Sequence, residues 1–180
     1  MAPRLIYLIY AIFSSMKILD GYTFSGSLVN IRPIEEKDDD VIRSLKNQPG
    51  SGAKFPGNIP PDMMLSPHTQ SFICETKNNM SFGIISVGAF RLHESAATIL
   101  LNIGYSDDAL YAGKAILKHL FNEKKLNRMI SYLLDYEKET EKLLLSLGFV
   151  REVTLRDHIF YQNSYHDVHI YGILEDEFKA

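Results

Sequence analysis

The sequence predicts a mixed α/β (α+β) domain built on a largely antiparallel sheet. Three observations carry this prediction. Short alternating apolar runs, separated by turn formers, fill the middle and the end of the chain. Two later segments carry apolar residues at helical spacing. The composition, 46% hydrophobic and 23% charged over 180 residues, is that of an ordinary globular domain. A chain of this length buries roughly two-thirds of its unfolded surface and needs no disulfide staple. Its single cysteine, Cys74, lies in an apolar run, reads as core, and leaves neither an intrachain disulfide nor a Cys-rich zinc site. A formal charge of -3 gives no electrostatic case for sequence-independent nucleic-acid binding.

The elements follow in order. Leu5 to Phe13 is an apolar run too short to span a bilayer, which takes about twenty residues. It reads as an extension before a start at Met16, as a packed strand or helix, or as the apolar part of a signal segment. Residues 1–15 are therefore set apart from a single domain over 16–180. Leu28 to Ile34 alternates and is rich in β-branched residues, so it is a strand, with Pro33 near its end. Glu35 to Asp40 is acidic and leads into Val41-Ile42-Arg43-Ser44-Leu45-Lys46. Acidic residues favour a helix start, so a first helix falls there. Asn47 to Gln70 is rich in Pro and Gly. It reads as a long loop with one short helix near Pro61 to Leu65, and its Lys54, Phe55, Met63 and Met64 are candidates to shape a pocket.

Ser71 to Glu75, Phe82 to Phe90 and Thr98 to Tyr105 form an antiparallel meander, turned at Asn78-Asn79 and His93-Glu94-Ser95. A helix runs from Asp107 or Asp108, either of which would serve as N-cap, to Lys125. Arg128 to Leu134 is a strand. Glu137 to Leu147 is an amphipathic helix closed by Gly148. Phe149 to Arg156, Ile159 to Asn163 and Asp167 to Ile173 are three closing strands.

Several of these segments, in this order, resemble the GNAT superfamily of N-acetyltransferases. Asn30-Ile31-Arg32-Pro33-Ile34 before an acidic helix start resembles its opening. Leu101-Asn102-Ile103-Gly104-Tyr105 resembles its "A-E-I-G-Y" strand, and Leu126-Asn127-Arg128-Met129-Ile130 its helix-to-strand junction. Leu143-Leu144-Leu145-Ser146-Leu147-Gly148-Phe149 resembles its "LLEKLGF" helix end. Tyr165 to Leu174 resembles the last strand of the branch containing the ribosomal-protein alanine N-acetyltransferases. The resemblance implies transfer of an acyl group from acetyl-CoA to an amine, either a small molecule or a protein N-terminus. The single cysteine suits a reducing cytosol, so a cytoplasmic protein is expected, with no membrane or nucleic-acid partner and with a homodimer as one state to test.

Three departures from the family pattern qualify that expectation. The family holds the cofactor's pyrophosphate on a Gly-rich loop opening a helix, where unpaired N–H groups and the positive dipole end meet the anion. Here the chain between Gly104 and Arg128 is short. In one alignment Tyr111-Ala112-Gly113-Lys114-Ala115 is the remnant loop, so Gly113, Lys114 and Ala115 are cofactor-binding candidates. In the other the helix is whole, which the periodicity favours, and Ser106-Asp107-Asp108 stands at its mouth, where carboxylates repel phosphate. Asn102 replaces the family's acidic base. An amide cannot take the amine proton at neutral pH, so its expected role is to orient substrate or water. Thr140 and Glu137 replace a Ser and an Asn before the last helix, and Thr140, Ile103 and Tyr105 are further cofactor-binding candidates.

The resemblance also asks for a tyrosine that protonates the departing thiolate. A phenol holds its proton more tightly than a thiol. Tyr161, Tyr165 and Tyr171 are the candidates, with Tyr165 first. The damaged loop leaves an acyl-carrier protein thioester as the alternative donor. It equally leaves a degenerate member without CoA-dependent activity, acting as a binding or regulatory module or carrying different chemistry in the vacated cleft. His158, His166 and His169 do not make a metal set, because strand alternation puts His166 and His169 on opposite faces.

Overall fold

The alternating segments pair into one eight-stranded sheet in the computed structural model, which describes residues 22–46, 69–91 and 95–179. The strands are β1 (Phe24–Ser25), β2 (Val29–Pro33), β3 (Gln70–Thr76), β4 (Ser81–Arg91), β5 (Ala96–Asn102), β6 (Arg128–Leu134), β7 (Val150–Tyr161) and β8 (Ser164–Leu174). The helices are α1 (Asp39–Lys46), α2 (Asp107–Asn122) and α3 (Lys138–Ser146). The strand order is β1-β2-β3-β4-β5-β6-β8-β7, antiparallel throughout except between β5 and β6. The expected mixed, largely antiparallel sheet flanked by helices is therefore the observed one. The expectations for residues 1–15, for Lys54, Phe55, Met63, Met64 and their short helix, and for His93-Glu94 lie outside the described residues.

Period 2 sorts the core. Ile31, Phe72, Cys74, Ile85, Val87, Ala97, Ile99, Leu101, Met129, Leu133, Tyr171 and Ile173 share one face and one buried cluster with Ala112, Ile116, Leu120, Leu143 and Leu147 of α2 and α3. Cys74 is buried there as expected. The two helices approach closely because Gly113 carries no side chain. A Cβ at that position would lie 2.8 Å from Leu147 Cδ1. α1 packs against β4 from the other face, which carries the buried Ile73, Ile84 and Ser86.

Two local expectations need correction. The N-cap of α2 is Ser106, not Asp107 or Asp108. Its backbone is extended (φ -158°) and its hydroxyl accepts from the Ala109 N–H at 3.0 Å. Asp107 and Asp108 already sit in the first helical turn. Replacing Ser106 by alanine should lower stability by about 1 kcal/mol. Thermal unfolding should show this as a Tm about 2–4 °C lower, whereas Asp107→Ala should have the smaller effect of a dipole partner alone.

The end of the chain makes two long strands rather than three. β7 passes through Asp157, where φ is +49° and the register with β8 shifts between Leu155 and Ile159. The Asp157 N–H donates to Asp167 Oδ1 at 2.9 Å, so the break is a bulge and not a strand end. Gln162 and Asn163, at φ +48° and +63°, then make the two-residue hairpin turn that closes Tyr161 onto Ser164.

Candidate active site

The parallel pairing of β5 with β6 is brief. It joins Ala96 to Arg128, Ala97 to Met129 and Thr98 to Ile130. β5 nevertheless runs on to Asn102 and β6 to Leu134, each paired on its far side, with β4 and with β8. The two strands therefore part in the middle of the sheet. Backbone N–H and C=O groups on their facing edges are left to find partners elsewhere, and an extended ligand carrying amides would satisfy them.

The walls of this gap carry unspent polarity. Three buried side-chain atoms among the described residues have no hydrogen-bond partner: Asn102 Oδ1, Ser131 Oγ and His119 Nε2. Two of them stand on the strands that border the gap. Ser131 is the first residue of β6 beyond the last parallel pair, and its side chain shares the α2–α3 face with Tyr171 opposite it. Asn102 pairs with Ile84 at the end of β5 and faces the α1 side. Buried polar atoms are otherwise almost always paired, so an orphan acceptor at a gap marks where a donor from a ligand belongs.

The far end of the gap is buttoned shut. Thr140, fully buried in α3, donates its hydroxyl to the Ile103 carbonyl at 3.2 Å. Thr140 is thus committed to tying α3 to β5. Tyr105 lies just beyond, half-buried, with Lys142 Nζ 4.0 Å from its ring centre. Tyr171, fully buried on β8, donates its phenol to Glu141 Oε1 of α3 at 2.5 Å. Burial pushes the phenol's pKa well up, and that hydrogen bond pulls the carboxyl below its usual range.

The remaining candidates are placed elsewhere. Gly113, Lys114 and Ala115 lie mid-way along α2, where their amides serve the helix. They cannot form a loop at its N-terminus, so the first of the two alignments is corrected. What stands at that N-terminus is Ser106, whose oxygen already serves Ala109, followed by two carboxylates. Tyr165 is 64% exposed, and its ring packs on Phe160 at 5.1 Å. By alternation along β8 it belongs to the Tyr171 face, whereas Asn102 belongs to the other. The structure brings Asn102, Ile103, Tyr105 and Thr140 to one end of the gap and leaves Tyr165 out.

Sequence reasoning passed over a further phenol. Tyr136 follows β6 in the turn to α3, and burial pushes its pKa up to about 12, so it keeps its proton at neutral pH. Its ring meets His166 edge-on at 5.0 Å and stacks with Tyr161 at 6.4 Å. Nothing in its local sequence distinguishes it from a packing aromatic. Among the described residues no three His, Cys, Asp or Glu side chains are grouped to hold a metal, and no helix is long and apolar enough to cross a membrane.

A central, largely antiparallel sheet that parts between its two parallel strands, with helices on both faces, matches a GNAT-like architecture. Solved structures share this fold. The chain is similar to the spermidine N-acetyltransferase of Vibrio cholerae solved with CoA and spermine (TM-score 0.70, 17% identity, 84% of this chain and 98% of that one). It is also similar to a chimera of that enzyme with hSSAT (TM-score 0.69, 17% identity, 83% and 97%). No protein-family model and no curated protein sequence matches the chain.

Proposed function

We propose that this protein transfers an acyl group from a pantetheine thioester to an amine. The observation that carries the reading is the parted β5–β6 gap with the orphan Oδ1 of Asn102 at its end. The thioester arm lies in the gap as an extended strand, pairing its amides with backbone groups of the parted strands. Asn102 Oδ1 accepts an N–H from the incoming amine and aims its lone pair at the carbonyl carbon. Holding two reactants in attack geometry supplies most of the rate in such a transfer. The amine proton leaves to water, since Asn102 cannot hold it. Tyr136, in the turn that follows β6, joins Tyr165 as a candidate proton source for the departing thiolate.

The solved neighbour with CoA and spermine supports a small-molecule amine as acceptor. A protein N-terminus, which the branch resemblance implies, is the second acceptor to assay. The donor divides into two sources with a common arm. Ser106, Asp107 and Asp108 at the α2 N-terminus offer a pyrophosphate a filled cap and two like charges. This favours a carrier-protein thioester over acetyl-CoA. It is also the observation that favours the second reading, a GNAT-fold binding module without CoA-dependent activity.

A thermal-shift titration with acetyl-CoA separates the readings, because a ligand of the native state must raise its apparent stability. A rise in Tm at millimolar ligand supports a CoA enzyme. No rise, with thiol release from acyl-carrier substrates and an added amine, supports the carrier version. Neither signal leaves the binding module. The Asn102→Leu variant tests the site itself. Removing an orphan buried acceptor should leave stability unchanged or slightly higher, while transfer should fall by about 10²-fold. A variant that loses stability and keeps its turnover would show Asn102 to be structural.

A further inference from the structure

The turn after β6 and the tip of the β7–β8 hairpin bring an aspartate to a serine and a histidine about thirty positions further along the chain. Asp135 Oδ1 lies 3.0 Å from His166 Nδ1, and His166 Nε2 lies 2.8 Å from Ser164 Oγ. The carboxylate can only accept, so in the neutral ring Nδ1 carries the proton and Nε2 presents its lone pair to the serine hydroxyl. We propose that Ser164 is a nucleophile, activated by His166 and Asp135, and that this chain cleaves activated esters or thioesters of carboxylic acids at that serine.

The arrangement has the roles such a site requires, recognised by geometry and not by sequence order. The imidazole is held on several sides. Asp135 fixes its tautomer, Tyr136 meets it edge-on, and the Tyr161 ring lies 6.4 Å away on the neighbouring strand. The His166 side chain is only 18% exposed, whereas Ser164 is open to solvent and to a substrate. Asp135 is itself anchored, its N–H donating to the Asp167 carbonyl at 3.1 Å. Ser164 Oγ has one competing acceptor, the Tyr161 carbonyl, at the longer distance of 3.3 Å. The Tyr136 phenol, protonated at neutral pH, and the Tyr161 phenol, whose oxygen accepts from Gln162 Nε2, keep their O–H groups as donors beside the imidazole. Either suits the oxyanion that forms next to it.

The step balances within the chain and its substrate. Ser164 Oγ bonds to the acyl carbon as its proton passes to His166 Nε2. The C–O or C–S bond then breaks, and the leaving alcohol or thiol takes that proton. Water attacks the acyl-serine, giving its proton to His166. The carboxylic acid departs as Ser164 recovers the proton. No oxidant, metal or cofactor is needed. The site also lies at the same end of the sheet as Asn102. Extending the parallel register sets Asn102 level with Leu134, which pairs with Val168, and His166 lies two residues further along the same face.

The test uses the full chain and needs no CoA. A fluorophosphonate probe and p-nitrophenyl acetate are the reagents. The expected result is a single probe adduct, mapped by peptide mass to Ser164, together with release of nitrophenolate. Ser164→Ala should abolish both, and Asp135→Asn should slow the release by about 10²–10⁴-fold. His166→Asn should block the adduct while leaving Ser164 in place. An adduct at another residue, no adduct in the folded wild type, or release that Ser164→Ala leaves intact would overturn the proposal. Because labelling is read on the wild type, it stands or falls separately from the acetyl-CoA titration.

Discussion

Arg32→Met should lower stability by about 3 kcal/mol at neutral pH, roughly 6–12 °C in Tm for a chain of this size. Arg32 on β2 forks between two carboxylates. Nη1 donates to Asp38 Oδ2 at 2.7 Å and Nη2 to Glu75 Oε1 at 2.9 Å, with a second bond to each. Both partners are enclosed: Asp38 is 3% exposed and Glu75 9%. Taking away the guanidinium while keeping the volume leaves two buried negative charges side by side, which is far costlier than never having built the pair. Asp38 also accepts the Glu35 N–H at 2.9 Å, so the loss reaches the turn that starts α1.

The same network fixes a dependence on pH. Hydrogen bonding from Arg32 holds the Asp38 carboxyl down to about 2, below the ordinary value near 4. A depressed carboxyl stabilises the fold fully above its unfolded pKa and loses that contribution as pH falls through the folded one. The wild type should therefore weaken between about pH 4 and pH 2. The Arg32→Met variant lacks this contribution, so its deficit should shrink across that window. Urea midpoints at pH 7 and pH 3 check both claims. Equal deficits at the two values would mean that the pair is not the cause.

Gly83→Ala should lower stability by about 1–3 kcal/mol through overpacking. Gly83 stands in β4 opposite Ile103, whose side chain fills the place of the missing one. A Cβ there would lie 2.1 Å from Ile103 Cγ1. Ile103 is 1% exposed and its carbonyl is held by Thr140, so it has nowhere to retreat. Pushing it would move the end of the β5–β6 gap, and acyl transfer should fall together with stability. A lower urea midpoint at unchanged m-value checks the first part. A double-mutant cycle with Ile103→Ala isolates the clash: the pair should cost less than the sum of the single changes.

Much of this fold was legible in the chain because local patterns and tertiary demands agree. Arg128–Leu134 was read to its exact bounds, since both ends are marked by polar turns and its buried residues admit one register. Gly148 was read as a helix stop and has φ +98°, which favours glycine. The failures have physical causes. Ser106, Asp107 and Asp108 are all competent caps, and only the extended backbone at Ser106 chooses between them. Asp157 looked like a strand end because its side of the bulge is written in β8, in the carboxylate of Asp167.

The candidate sites divide in the same way. Asn102 could be singled out from its place in a motif, and so could the suspicion that no phosphate loop remains. That Tyr165 faces away from Asn102 follows from counting residues along paired strands, which requires the pairing. That Asp135 reaches His166 across 31 positions depends on β6 and β8 being neighbours. The sequence by itself determined the class of fold and the order of most elements, because these rest on periodicity and on residue type, and it left two alignments of the Gly-rich loop open. Only the tertiary structure decided which polar atoms are left without partners and which side chains meet, because both are set by strand register, and a register is a relation between distant segments that neither contains alone.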